Sequence, residues 1–328
     1  MPYNQFVGLG EETAAGTLVA RTRFAKLMEG SGLNHRADRQ VSAKLSANVG
    51  GDAESVFDKG QWGEGKVIIP ASFDDLFGLT LLKHGMGLYA VSGAGPFTHT
   101  LTRKVGPPFA AGAIPTAQAL SLEMNYELPD ASLQARVSQA CRVKGFRLAW
   151  NAGEEFVIDA DVIGKEAAQA AKSGAPTFPD YDAYEMKFAQ VGVSIAGVQY
   201  ASVISGLEIS VDNMHETRFR LGSVFTQPPL RRGKAAITGA IRMDWEATPS
   251  AKTLWDLWKA KTSTEIIVTI TGPTNYSLVA TMSNSQFLSG DNSPEEGQLQ
   301  SLELPFQALH HATNTALKLV VQNQSATV

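Results

Sequence analysis

The stretch LSLEMNYEL, residues 120–128, alternates apolar and polar side chains without interruption. Its apolar positions are Leu120, Leu122, Met124, Tyr126 and Leu128. The positions between them are Ser121, Glu123, Asn125 and Glu127. A period of two is typical of a strand whose faces lie in different environments, as in antiparallel sheets. We therefore predict a strand here with one buried face and one solvated face.

The same alternation recurs along the chain and predicts a mainly β protein. It is found at Phe156–Val162, Leu207–Val211, Ile241–Trp245 and Leu302–Phe306. Further strands are predicted at Val41–Val49, Val143–Trp150, Glu265–Thr271 and Leu317–Gln322. We expect two tandem antiparallel β-sandwich or barrel modules, each with a flanking α-helix.

Helical spacing is confined to a few segments. Phe73, Leu76, Phe77 and Leu81 repeat every three to four residues, and Ser72 with Asp75 forms a capping-box pattern. A second helix is predicted at 254–258, where Leu254, Trp255, Leu257 and Trp258 follow Pro249 and Ser250. A third, alanine-rich helix is predicted at Glu166–Lys172, between two glycines.

The two halves of the chain resemble each other. Ser55-Val56-Phe57 precedes Gly65-Lys66 by the same spacing that separates Ser223-Val224-Phe225 from Gly233-Lys234. The helices align when Ser72 is placed on Ser250, with an insertion of ten residues in the second half. Such a repeat indicates duplication of one building block. The predicted organisation is an amino-terminal arm (1–32), module 1 (33–164), a linker (165–190) and module 2 (191–328).

Composition excludes several classes of protein. The 328 residues are 44% hydrophobic and 18% charged, with a net charge of −4. This hydrophobic content excludes intrinsic disorder. The negative net charge differs from the basic excess that is typical of proteins that bind nucleic acid through its phosphates. The single cysteine, Cys141, excludes an internal disulfide. The sequence shows neither the positively charged start of a secretory signal peptide nor an apolar stretch long enough to span a membrane. We therefore expect no membrane association.

Signatures of catalysis are weak. Gly60-x-x-x-x-Gly65-Lys66 resembles a phosphate-binding loop, but Val67 stands where serine or threonine would contact magnesium. No pair of the six histidines has metal-binding helical spacing. Asp159 and Asp161 share one strand face, which a solvated sheet also explains. We predict that the chain is not an enzyme and that it has no catalytic residues, cofactor or metal.

Long connections are the better candidates for function. The segment Gly85–Gln118 contains four prolines and many glycines, with one short alternating patch at Thr98–Thr102. A second connection, Phe219–Lys234, carries Pro228-Pro229 and Arg231-Arg232. Loops of this length inside a domain are usually functional or become ordered against a partner. Candidate contacts between subunits in or near such connections are Phe57, Trp62, Phe97, Phe109, Phe225, Arg231 and Arg232.

Two stretches resemble the tail tube proteins of long-tailed bacteriophages. The first is FVGLGEETAAGTLVARTRFAKLMEGSGL, residues 6–33, in which an acidic pair follows a glycine-rich start. The second is VISGLEISVDNMHETRFRLGSVFTQPPLRRGKAAITGAIRMDWEA, residues 203–247. There a strand that ends in Asp-Asn precedes a long loop, a glycine-containing strand and a helix. The resemblance extends over about Phe6–Ile69 and Val193–Val321.

This resemblance implies a structural protein of the virion tail, assembled in the bacterial cytoplasm. Modules would stand side by side in a ring around a lumen, and rings would stack into the conduit for DNA ejection. Two modules per chain favour a trimer with pseudo-sixfold symmetry, with a hexamer as the alternative. Implied partners are other copies, other tail proteins and double-stranded DNA that passes non-specifically. Solvated carboxylates that are candidates for the lumen wall are Asp159, Asp161, Glu208, Asp212 and Glu303.

Two alternatives remain at the level of sequence. A β-sandwich that binds a receptor or a carbohydrate would bring surface aromatic residues together in one groove. The tryptophans mostly occupy phases predicted to be buried, which argues against this alternative. An enzyme would need a cleft with converging titratable groups, and no cluster in the sequence indicates one.

Overall fold

The computed structural model describes residues 5–41, 56–103, 119–126, 134–173, 176–200, 203–244, 249–290, 301–312 and 315–326. Strands account for 60% of the structure and helices for 10%. The predicted mainly β, antiparallel fold is therefore confirmed.

The elements follow the chain in an order that separates two halves. The strands of the first half are β1 (Phe6–Glu12), β2 (Arg23–Lys26), β3 (Gly32–Val41), β4 (Val56–Pro70), β5 (Gly87–Ser92), β6 (Phe97–Arg103), β7 (Ala119–Tyr126), β8 (Gln134–Asn151), β9 (Val157–Gly164) and β10 (Ala167–Ala171). Those of the second half are β11 (Val191–Ile195), β12 (Val198–Gln199), β13 (Ile204–Asp212), β14 (His215–Arg218), β15 (Gln227–Arg231), β16 (Ala236–Asp244), β17 (Thr264–Thr271), β18 (Ser277–Phe287), β19 (Ser301–Ala308) and β20 (Lys318–Asn323). The helices are α1 (Leu76–Met86), α2 (Tyr181–Tyr184) and α3 (Pro249–Lys259), and a 3₁₀ turn spans Phe188–Gln190.

The long strand β8 belongs to two sheets. Its first part, to Cys141, pairs with β7 and β10, and β7 continues through β1 to β2. Ala140 then adopts a left-handed conformation, with φ of 54°, and the register shifts between Val143 and Gly145. Such irregularities bend a strand. Beyond them β8 pairs with β9 and β13.

A continuous sheet crosses from one half of the chain to the other. Its strand order is β3-β4-β9-β8-β13-β16-β19, and all neighbours are antiparallel. The junction between the halves is the pairing of β8 with β13, in which Gly145–Asn151 lie opposite Gly206–Asp212. Ordinary backbone hydrogen bonds therefore join the two halves side by side.

A further sheet, in addition to the β2-β1-β7-β8-β10 sheet and the continuous sheet, also combines strands of both halves. Its strand order is β12-β11-β17-β18-β20-β6-β5, so the β5–β6 hairpin of the first half extends the sheet of the second half. The last residues of β18 also pair with β19, which links this layer to the continuous sheet. One apolar core runs through the layers, from Val7 near the amino terminus to Val321 near the carboxyl terminus.

The two predicted amphipathic helices are present, but the start of α1 differs from the prediction. Asp75, rather than Ser72, is the N-cap, and its side chain accepts a hydrogen bond from the Phe77 backbone N–H. Ser72 instead donates its hydroxyl to the Tyr184 carbonyl oxygen, so its side chain is already engaged. α3 contains Leu254 at a fully buried position.

The prediction of a helix at Glu166–Lys172 is wrong. Residues 167–171 form β10, which pairs along its whole length with the first part of β8. Alanine favours helices when nothing else intervenes. Here the open edge of β8 offers backbone hydrogen bonds, and this tertiary pairing outweighs the local preference.

The polar face of β7 is not solvated as predicted. Ser121, Glu123 and Asn125 are all fully buried. Glu123 accepts a hydrogen bond from Arg21 Nε at 2.6 Å and another from the Ser173 hydroxyl at 2.7 Å. The strand is thus covered by the chain before β2 and after β10, whose polar groups match its own.

Two predicted segments differ from the structure or lie outside it. Gly85–Gln118 is not one long connection, because 87–92 and 97–103 form β5 and β6. Gly93 and Gly95, in the turn between these strands, have positive φ as their glycine spacing suggests. Residues 104–118, including Phe109, lie outside the described residues, as does most of the predicted strand Val41–Val49.

Candidate functional site

One face of the continuous sheet carries the charged side chains that the alternating pattern singles out. Directly opposed residues of antiparallel strands share a face. Asp161 lies opposite Gly145, which lies opposite Asp212 on the next strand. By the same rule the register brings all the predicted lumen carboxylates to this face, namely Asp159, Asp161, Glu208, Asp212 and Glu303.

The opposite face of these strands is apolar and buried. Each strand alternates, so the side chains between the charged positions enter the core. Fully buried examples from successive strands are Val67, Ala160, Leu148, Ile209, Ile241 and Leu304. Burial of this second face fixes the register, because a one-residue slip would move the carboxylates into the core.

Cations on the charged face are paired with carboxylates across the strands. Lys66 Nζ lies 2.9 Å from Asp159 Oδ2, and Arg147 Nη2 lies 2.7 Å from Glu208 Oε2. Further along the sheet, Arg242 Nε lies 3.6 Å from Glu303 Oε2. The sequence prediction named the carboxylates of these pairs but not their cationic partners.

A shallow depression of about 450 Å³ lies on this face between β4 and β13. Its charged lining is Lys66, Lys144, Arg147, Asp159, Asp161 and Asp212. Partial burial raises the pKa of Asp161, and the neighbouring Asp159 carboxylate raises it further against the opposing charges of Lys66 and Lys144. Among the described residues, the lining also includes the hydroxyl of Ser210 but no histidine, and the depression presents a solvated, charged surface.

The three aromatic loop candidates Phe57, Trp62 and Phe225 lie on β4 or directly beside it. Phe57 is half exposed at the start of β4. Trp62 packs edge-on against Phe219, with 6.2 Å between ring centroids. Phe225 forms a bridge with Gln61 of β4.

Phe109 lies outside the described residues, and the other loop candidates also have neighbours within the chain. Phe97 lies opposite Asn323 in the β6–β20 ladder. Arg231 Nε donates to the Gly233 carbonyl oxygen, and Arg232 forms an exposed ion pair with Glu216 at 3.2 Å. These contacts place the three residues on β6, at the end of β15 and directly after it, rather than on β4.

The sequence prediction named only Phe57 from an exposed apolar group that lies near Trp62. Leu221 is fully exposed, and Val56, Phe57, Phe219 and Val224 each expose more than a third of their surface. The Gln61 N–H donates to the Val224 carbonyl oxygen at 2.7 Å, so the loop of Leu221 runs beside the start of β4. The signal available in the sequence was the repeated Ser-Val-Phe motif, which contributes Val56, Phe57 and Val224.

Cys141 and Glu11 are two potentially reactive side chains whose surroundings shift their pKa values. Burial raises the pKa of the Cys141 thiol to about 12, so it stays protonated and unreactive at neutral pH. Burial alone would raise the pKa of Glu11, but hydrogen bonds from His84 and Lys83 outweigh it and lower the pKa to about 2. Within the described ranges, no group of three metal-ligating side chains is found. Among the same residues, no helix is long and apolar enough to span a membrane.

Comparison with known proteins agrees with the resemblance found in the sequence. No curated protein matches the chain. The family described as phage tail tube protein matches residues 3–308, which is most of the 328 residues and includes both halves of the continuous sheet. The chain therefore belongs to the phage tail tube protein family.

Proposed function

We propose that this protein is the major subunit of a phage tail tube, whose copies form rings that stack into the conduit for DNA ejection. Family membership supports the structural role in the virion tail. The ring, the conduit and assembly in the host cytoplasm are what the resemblance to this family implies, and they are part of the proposal.

The β8–β13 junction is the observation that carries this proposal. It joins the two halves edge to edge into one sheet with a charged face and a buried face. A ring of modules needs the same kind of junction between neighbours, repeated until the rotation closes. The free edges for that purpose would be β3 at one end of the sheet and the first part of β19, before Pro305, at the other, because the last residues of β19 pair with β18.

The internal repeat favours three chains per ring. If each half supplies one module, three chains give six modules and pseudo-sixfold symmetry, whereas a hexamer would give twelve. The module boundaries 33–164 and 191–328 are part of this proposal. The sheets do not separate at these boundaries, because β8 pairs with β13 and β6 pairs with β20.

The charged face is our candidate for the lumen wall. DNA carries about one negative charge per 1.7 Å, and each phosphate contact from lysine or arginine adds salt-sensitive affinity. On this face Lys66, Arg147 and Arg242 are each engaged by a carboxylate. Asp161 and Asp212 add further negative charge. Such a wall would repel phosphates and let DNA slide.

The exposed apolar group around Leu221 is our candidate for contact between stacked rings. It lies in the loop that runs beside the start of β4. Exposed apolar surface of this kind marks interaction sites. Other tail proteins would contact the same surfaces at the two ends of the tube.

Electron microscopy of the purified full-length chain tests the proposal. We expect rings or tubes whose abundance rises with protein concentration, and a class average along the axis with six modules per ring. A matched pair of variants assigns the stacking surface: Leu221→Ser should shorten the tubes, whereas Leu18→Ser, at another exposed leucine, should not. A strictly monomeric protein at high concentration, even with tail initiation proteins added, would contradict the proposal.

A further inference from the structure

Arg103 of the first half and Asn213 of the second half both contact the carboxyl end of α1, at the seam between the two halves. Arg103, the last residue of β6, is only 6% exposed. Its Nη1 donates to the carbonyl oxygens of Gly85 at 3.0 Å and Met86 at 3.5 Å. Asn213 Nδ2 donates to the same Gly85 oxygen at 3.0 Å. The Arg103 guanidinium is thus anchored through one of its three nitrogens.

The other two nitrogens of this guanidinium are buried without a partner. Nε and Nη2 of Arg103 form no hydrogen bond to any residue that the structure describes. These two nitrogens share one edge of the guanidinium plane and donate in parallel, which matches two oxygens of a carboxylate or phosphate group. Buried charged donors are rarely left unused, so this edge is a candidate for binding a ligand.

His215 provides a second buried donor or acceptor beside Arg103. Its Nδ1 is buried and unpartnered within the described residues. It lies opposite Arg231 in the β14–β15 ladder, and this ladder packs against β8. Burial, followed by the positive charges of Arg142, Arg103 and Arg231, lowers the pKa of His215 to about 4. The carboxylate of Asp212 opposes these three guanidinium groups and raises the pKa of His215.

We propose that the Nε–Nη2 edge of Arg103, together with His215 and Arg231, binds an oxyanion of the carboxylate or phosphate class. Two sources would satisfy this chemistry: free inorganic phosphate, or a carboxylate side chain from a second copy of the chain. The site itself is independent of the tube. Only the second source rests on the proposed function.

Thermal unfolding of the unassembled full-length chain tests the first source. Inorganic phosphate is titrated against chloride at matched ionic strength. We expect a saturable rise in Tm of about 3 °C for the wild type. Arg231→Gln should lose most of this rise. Arg232→Gln is the matched control, since the neighbouring Arg232 is mostly exposed and paired with Glu216, and it should keep the rise. Arg231 is chosen because it is partly exposed, whereas Arg103→Gln at a buried position carries a greater risk of misfolding.

Assembly of the same variants tests the second source. If phosphate leaves the wild-type Tm unchanged, but Arg231→Gln impairs assembly and Arg232→Gln does not, the ligand is a carboxylate of a second copy. Equal phosphate responses and equal assembly of the wild type and both variants would overturn the site. A wild type that never assembles contradicts the tube. In that case the phosphate titration alone decides the site, and an absent or variant-independent rise overturns it.

Discussion

At the scale of single residues, stability depends on aromatic side chains at the junction of the halves. Trp150, near the end of β8, is 1% exposed and stacks on Phe156 with 4.5 Å between ring centroids. Trp150→Ala would leave a cavity that neighbouring strands cannot fill. We expect the free energy of unfolding to fall by about 3–5 kcal/mol, measured by chemical denaturation. The exposed Leu221→Ala should change it by less than about 0.5 kcal/mol. Equal effects of both variants would contradict this packing.

Asp75 is predicted to make stability depend on pH. Burial raises the pKa of this N-cap carboxyl from 3.8 to about 7. A raised folded-state pKa means that the folded protein binds the proton more tightly than the unfolded chain. The stabilisation is fully present below pH 3.8 and is lost as pH rises towards 7, by about 4 kcal/mol in total.

The matched variant for this prediction is Asp75→Asn. Asparagine keeps an oxygen that can accept the hydrogen bond from the Phe77 N–H but cannot ionise. Chemical denaturation between pH 5 and pH 8 should show the wild type losing stability relative to the variant. Parallel profiles would show that Asp75 is already ionised at the lower pH.

At the scale of elements, α3 should tolerate charge differently on its two faces. Leu254 is fully buried, whereas Trp258 is only partly buried against Gly290. Leu254→Asp places an unpaired charge in the core, so we expect a loss of about 3–5 kcal/mol in the free energy of unfolding. Trp258→Asp should cost less. Asp256→Ala, at an exposed position, is the control and should change the free energy by about 0.5 kcal/mol or less. A smaller loss for Leu254→Asp than for Trp258→Asp would contradict the helix orientation.

The elements also show which structure can be predicted from sequence. Alternation predicts β9, β13, β17 and β19 because each has one face in the core and one in solvent. Alternation and helix propensity mislead where contacts with distant parts of the chain bury a polar side chain or favour a strand over a helix. The carboxylate of Glu123 is polar but buried by Arg21, which is distant in sequence. The alanines of β10 form a strand because β8 offers an edge.

At the scale of the whole molecule, the shared charged face could be predicted only in part. The carboxylates were found from alternation, since each lies on the wet side of its own strand. That they share one surface depends on the order of strands in the sheet, which no local pattern encodes. The cross-strand pairing of Arg147 with Glu208 and of Arg242 with Glu303 depends on the same order. Similarly, β5 and β6 were hidden in the predicted connection 85–118, since their partner β20 is distant in sequence.

The charge of this face leads to a prediction for the assembled tube. Asp244 of β16 and Glu303 of β19 are exposed on the charged face of the sheet. They are diagonal neighbours, because Glu303 lies opposite Arg242, two residues before Asp244. Replacing both with lysine should leave assembly unchanged but make the lumen wall attract DNA phosphates. Sedimentation of tubes with short linear double-stranded DNA should then show binding that weakens with salt. Each new phosphate contact should make the slope of log affinity against log salt more negative by about 0.9.

The control changes the net charge equally at other places. Asp256→Lys with Glu265→Lys alters exposed positions on α3 and β17, outside the continuous sheet. Tubes of this variant, like the wild type, should not retain DNA, because their lumen wall keeps its carboxylates. If both double variants retain DNA equally, the effect comes from net charge. If neither does, the charged face does not line the path of the DNA, and the orientation of the modules in the ring must be reversed.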